Sequence, residues 1–212
     1  MNTKILKFKP ALLLLIGVAL FMYACTQVED NTRSGSLLGI DSVSGTAGPN
    51  GTSGSPLLSD TCFATPDTGN LDPDLCTVFN DNADITFSNT FLQIGPGSGV
   101  GDPGFINDII VTRYRVDYFR PNNRNTPGVD VPFGIDGSMN TRVPINGTNT
   151  GSIIVVRHEA KREPPLEQLD SEDTEGVITV NAQIKTFGAD IAGHTVSATG
   201  FLEIHFANYG GQ

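Results

Sequence analysis

The chain has no tryptophan and only 3 cysteines, 3 histidines and 13 basic residues among its 212. The shortage of basic residues is the most restrictive. With 23 acidic residues the formal charge is −10, and a surface of that sign is repelled by phosphate backbones and anionic headgroups. Nucleic acid is therefore not an expected partner, whereas cations and basic surfaces stay open. Long stretches with a 3.6-residue apolar period are also missing. Together with 24 glycines and 13 prolines, that points away from a helical bundle. No G-x-S-x-G nucleophile elbow occurs. The glycine-rich run Gly95-Pro96-Gly97-Ser98-Gly99-Val100-Gly101 lacks the Lys-Ser/Thr pair of a phosphate cradle, and Pro96 removes a donor. With no motif for catalysis or cofactor binding, an enzyme is not expected.

What the chain does have begins at its first residues. Lys4, Lys7 and Lys9 stand without an acid among residues 1–10, and residues 11–22 (ALLLLIGVALFM) are unbroken apolar sequence. A run this short suits a signal-peptide core better than a membrane span, which needs roughly 20 residues. Met22-Tyr23-Ala24-Cys25 follows, with a small residue immediately before a cysteine. This resembles the lipobox of bacterial lipoproteins, although Met22 and Tyr23 stand where leucine and a small residue are usual. The resemblance implies cleavage of residues 1–24 and acylation of Cys25 by chains such as palmitate. An ordinary secretory signal or an uncleaved anchor, with Cys25 incidental, is the alternative. Removing residues 1–24 takes away three lysines, so 10 basic and 23 acidic residues leave a mature charge of −13. Thr26 in place of aspartate resembles the sorting signal for the outer membrane of enteric bacteria, and Glu29-Asp30 faintly resembles an acidic surface-export tag. Residues 25–60 are rich in Ser, Thr, Gly and Asn, which predicts a flexible tether. Residues 61–212 then form one domain.

Cys62 and Cys76 are the remaining pair in an oxidising compartment. A disulfide between them would close a loop of about 15 residues and contribute roughly 3 kcal/mol. Two free thiols are the alternative, and no nearby histidine completes a tetrahedral metal set. Asp72, Asp74, Asp81 and Asp84 are clustered oxygen donors in loop-like sequence and therefore candidate calcium ligands; as turn formers they need no metal. His158-Glu159-Ala160-Lys161-Arg162 begins like H-E-x-x-H but ends on arginine, in a segment that reads as strand. His194 falls in an expected hairpin loop and His205 on a polar strand face. Arg113, Arg115, Arg120 and Arg124 make a basic locality, read either as a recognition face or as local pairing with carboxylates.

The body alternates with a period of two, the mark of strands with one buried face. Residues 110–118 place Ile110, Tyr114, Val116 and Tyr118 on one side. Residues 177–186 place Ile178, Val180, Ala182 and Ile184 together. Residues 196–206 do the same with Val196, Ala198, Leu202, Ile204 and Phe206, and residues 84–92 with Ile85, Phe87 and Phe91. Residues 139–145 and 153–158 are shorter candidates, the second a continuous apolar run that predicts a mid-sheet position. Residues 187–194 predict an extended hairpin loop, and Pro164-Pro165-Leu166 a helical turn in a connection. About seven strands separated by turn signals predict an all-β, antiparallel, immunoglobulin-like sandwich. The stretches 124–133 and 155–161, with the 196–206 run, resemble parts of uncharacterised bacterial envelope proteins with such sandwiches. That resemblance implies a fold and an envelope address, with no catalytic residues.

The function that follows is a lipid-anchored envelope protein with a non-enzymatic binding or structural domain, partnered by the membrane and by an envelope protein or glycan. A carbohydrate-binding or adhesive module is the second reading, with Phe63, Phe119, Phe133, Phe187 and Tyr209 as candidate stacking residues.

Overall fold

A computed structural model describes residues 34–48, 51, 53–62, 77–92, 104–169 and 176–209. The leader, Cys25, Phe63, Asp72, Asp74, Cys76, the glycine-rich run at 95–101 and residues 170–175 lie outside the described residues.

Among the described residues nine strands follow in chain order: β1 Ser36–Thr46, β2 Ser53–Gly54, β3 Leu57–Asp60, β4 Asp81–Phe91, β5 Ile109–Phe119, β6 Ile135–Val143, β7 Gly147–Val156, β8 Ile178–Asp190 and β9 Thr195–Ala207. Seven are long; β2 and β3 are short additions. One sheet has the order β2-β1-β4-β7 and the other β3-β9-β8-β5-β6. All pairings are antiparallel except β3 with β9, where Leu57 to Asp60 run parallel to Ile204 to Ala207. The fold is an all-β sandwich. Ala83, Ile85 and Phe87 of β4 meet Val116, Ile184, Leu202, Ile204 and Phe206 of the opposite sheet in one core. Gly200 lets the layers come close: a Cβ there would lie 3.0 Å from the side chains of both Ile40 and Val43. The Tyr118 hydroxyl donates to the Val155 carbonyl at 2.6 Å, joining β5 to β7 across the layers. Burial raises its pKa.

The structure corrects the domain boundary. Residues 25–60 do not form a tether throughout, because β1, β2 and β3 all fall within them. β1 was concealed by composition: its serines and glycines resemble a linker, yet it pairs with β4 from Ser36↔Phe91 to Thr46↔Asn82. Backbone hydrogen bonds, which any residue except proline can donate, supply that pairing.

Two β-bulges account for other departures. Between Val111 and Arg113 the register of β5 shifts, so Thr112 and Arg113 are both exposed while Ile109 and Val111 are buried. Ile110 is therefore out of phase with Tyr114, which the uninterrupted alternation had grouped together. A second shift lies between Asp81 and Asn82, opposite Val156 and Ile154. It leaves Val155 and Val156 both fully buried. The continuous apolar run of β7 thus reflects a bulge, and β7 lies at the edge of its sheet. The expected loop at 187–194 is shorter than its sequence suggests, since β8 continues to Asp190, with Gly188 paired opposite Val111. His158 begins a helical turn, α1 (His158–Lys161), where strand was expected. The turn after Pro164-Pro165 is a 3-10 helix, Leu166–Leu169, whose two leucines are buried.

Candidate functional site

The described polar groups gather at the two ends of the sandwich and on the outer face of the larger sheet. At the end where β4 begins, Lys161 of α1 and Asp81 form an ion pair at 2.9 Å, with residue exposures of 1% and 0%. The Lys161 amine also donates to the Asp60 carbonyl at 2.8 Å. Asp81 accepts from the Ser59 hydroxyl at 2.6 Å and the Gly48 amide at 3.0 Å. Burial pushes the Asp81 carboxyl up, against the opposing pull of Lys161, Ser59 and Gly48. The Asp60 carboxylate accepts from the amides of Cys62 and Tyr209, which ties β3 to the segment after β9. Cys62 is buried and disulfide-bonded. Its expected partner, Cys76, lies outside the described residues. Sequence reasoning missed this node because it weighed the stretch 158–162 only as a metal motif and gave Lys161 no partner. Only the buried Leu166 and Leu169 that follow hinted that the connection folds back on the body.

The calcium hypothesis is corrected at Asp81 and Asp84. Both lie on β4, not in a loop, and three residues apart on a strand they face opposite sides. Asp81 is buried in its ion pair and Asp84 is exposed, so the two do not converge on one cation. Among the described residues no group of three His, Cys, Asp or Glu side chains is placed to hold a metal.

The opposite end, where the described chain enters, is held by two carboxylates. Asp108 accepts from Arg142 Nε at 2.9 Å and from the Ile145 amide at 2.8 Å. Asp190 accepts from the Ser34 hydroxyl at 2.9 Å, the His194 amide at 2.8 Å and His194 Nδ1 at 2.9 Å. Burial alone would raise both carboxyls, but the hydrogen bonds outweigh it and hold both below the usual 3.8. Ser34, Asp190 and His194 share the residue types of a hydrolytic triad without its geometry. Serine and histidine both bind Asp190 Oδ2, whereas a nucleophile needs its hydroxyl on the histidine. The arrangement pins the β8–β9 hairpin to the residues just before β1.

A lowered carboxyl pKa stabilises the fold above the unfolded value and loses that stabilisation as pH falls through the folded value. Acidification below about pH 4 is therefore expected to loosen this end. The protection of amides across residues 188–195, measured relative to the intrinsic exchange rate at each pH, should fall between pH 5 and pH 2.5. Asp190→Asn should flatten that dependence while raising exchange at neutral pH.

On the outer face of the larger sheet, Arg113 lies 4.4 Å from the ring centre of Phe187, and Lys185 lies 5.4 Å from it. Arg115 pairs with Asp117 and Asp136, each at 2.8 Å. Arg124 pairs with Asp130, and Arg120 donates to the Asp130 carbonyl. The basic locality is thus divided between local carboxylates, a carbonyl and one aromatic ring. His205 pairs with Glu203 on this face, and His158 bonds to Asn80. Of the aromatic candidates, Phe119 and Phe133 are exposed, Phe187 lies beneath its two cations, and the Tyr209 amide is bound to Asp60. Phe201, which sequence reasoning did not single out, is exposed on β9.

Among the described residues no helix is long and apolar enough to cross a membrane. No protein-family model, curated protein or solved structure matches this chain.

Proposed function

We propose that this is a lipid-anchored envelope protein, better described by where it stands than by any chemistry: acylated Cys25 holds a non-enzymatic binding or structural sandwich at the outer membrane. The observation that carries the reading is the leader, a basic start and a 12-residue apolar run ending at Met22, three positions before Cys25. The fold is compatible with it, since β1 starts at Ser36, 11 positions after that cysteine. The paired histidines and carboxylates of the two ends have structural work to do, which favours a module that binds or supports over one that reacts.

The immunoglobulin-like reading rests on strand order. Among the seven long strands, the first, second and fifth share one sheet as β1-β4-β7, and the third, sixth and seventh share the other as β5-β8-β9. That division is the immunoglobulin one. The fourth long strand, β6, lies beside the third, where the variable-type domain places its extra strand. Such sandwiches serve many roles through loops and sheet faces, so the functional step is an analogy of fold.

Crosslinking in intact cells tests the reading. The expected outcome is reproducible capture of one envelope protein or glycan by the wild-type chain. Capture of cytoplasmic proteins alone would contradict it. A glycan-binding role is favoured by the exposed Phe201, Phe119 and Phe133, since sugars stack on aromatic faces, and a glycan array without hits would remove it.

A further inference from the structure

The end of the sandwich where the chain enters carries an apolar rim. Phe105, at 73% exposure, is the most exposed large apolar side chain among the described residues, and Ile106, Ile191, Leu37 and Leu92 are exposed too. Hydrogen bonds gather these residues at one end. Phe105–Asn107 is a 3-10 turn immediately before Asp108. The Asn107 carbonyl accepts from Ser36 Oγ at 2.7 Å and Asn89 Nδ2 at 2.9 Å. The Ile191 amide donates to the Asp108 carbonyl at 3.1 Å, and the Leu92 amide to the Gly35 carbonyl at 2.9 Å.

Charge at this end differs from that of the whole chain. Among the described residues 34–38, 89–92, 104–110, 142–148 and 189–195, the acids are Asp108 and Asp190, both buried and bonded, and Arg142 and His194 side chains are exposed. The described exposed acids lie elsewhere: Asp41, Asp84, Asp136 and Glu203 along the strands, and Glu159, Glu163 and Glu167 in the connection that follows β7 at the other end. Apolar side chains beside a paired arginine, with no exposed carboxylate among the described residues of this end, suit a bilayer interface.

The length of chain between Cys25 and Ser34 selects the occupant. Nine positions reach at most roughly 30 Å when fully extended, so an acylated Cys25 keeps this end close to the membrane. We infer that the chain-entry end is a membrane-contact surface, with Phe105, Ile106 and Ile191 seated among the lipid headgroups of the leaflet that holds Cys25. The inference rests on the acylation proposed above. It adds an orientation: the connections around residues 120–134 and 157–169 face away from the bilayer.

The absence of tryptophan makes the test direct, because one introduced indole is the only one present. The mature acylated protein carrying Phe105→Trp is placed in vesicles of phosphatidylcholine and phosphatidylethanolamine, with and without brominated acyl chains. Its emission should shift to the blue and be quenched by the brominated lipid. The Phe133→Trp protein, altered at the opposite end, should keep a water-exposed spectrum and escape quenching. Unquenched Phe105→Trp in a protein that floats with the vesicles would overturn the contact surface and leave the anchor intact. Equal quenching of the two proteins would overturn the orientation. A protein that fails to float would overturn the anchor and the surface together.

Discussion

Lys161→Met is expected to destabilise the fold by about 3–5 kcal/mol, the usual cost of leaving one member of a buried ion pair without its partner. The side chains are close in length, so loss of packing is the smaller part of the effect. Asp81 would stay buried against Ser59 and Gly48 with its charge uncompensated, and it would have to take up a proton or draw in water. Combining Lys161→Met with Asp81→Asn should recover much of the loss, because the amide oxygen can still accept from the Gly48 amide without requiring a counter-charge. At roughly 2–4 °C per kcal/mol for a chain of this size, the single variant should melt about 10 °C lower. Urea unfolding of wild type, both single variants and the double variant closes the cycle. Additive losses would show that the pair is not coupled and that the 2.9 Å contact contributes nothing of its own.

The second large effect concerns Cys25. Cys25→Ser removes the only thiol at the proposed cleavage site, and with it the acceptor for lipid. Cells fed an alkyne analogue of palmitate should label the wild-type protein and leave the Cys25→Ser chain unlabelled. Each buried methylene contributes about 0.8 kcal/mol, so two or three acyl chains hold a protein where one holds it only reversibly. A few apolar side chains at the rim cannot replace that. Label retained by Cys25→Ser would place the lipid elsewhere or deny it.

Much of the fold was legible because period-two alternation is a direct consequence of strand geometry. Ile178, Val180, Ala182 and Ile184 fall on one face for the reason their spacing suggests, and β9 behaves likewise. What escaped was local. A bulge inserts one residue and inverts the phase beyond it, so Ile110 was grouped wrongly with Tyr114. β1 escaped because Ser, Gly and Thr pair through their backbones as well as any residue, while their composition mimics a linker. The polar nodes escaped more completely. Asp81 and Lys161 are 80 positions apart, and Ser34 and Asp190 are 156 apart. No local pattern connects residues at such separations; only the folding of β4 beside β7, and of the β8–β9 hairpin over the residues before β1, brings them together. Lys161 also argued against its own burial, since lysine is almost never fully buried unless paired.

Address and body meet at Cys25, and the mass of the amino-terminal peptide from membrane-extracted protein tests that junction most directly. A peptide beginning at Cys25 and carrying acyl chains is the expected result. A peptide beginning there with a free thiol, or one still joined to residues 1–24, would contradict the anchor and the membrane-facing orientation built on it.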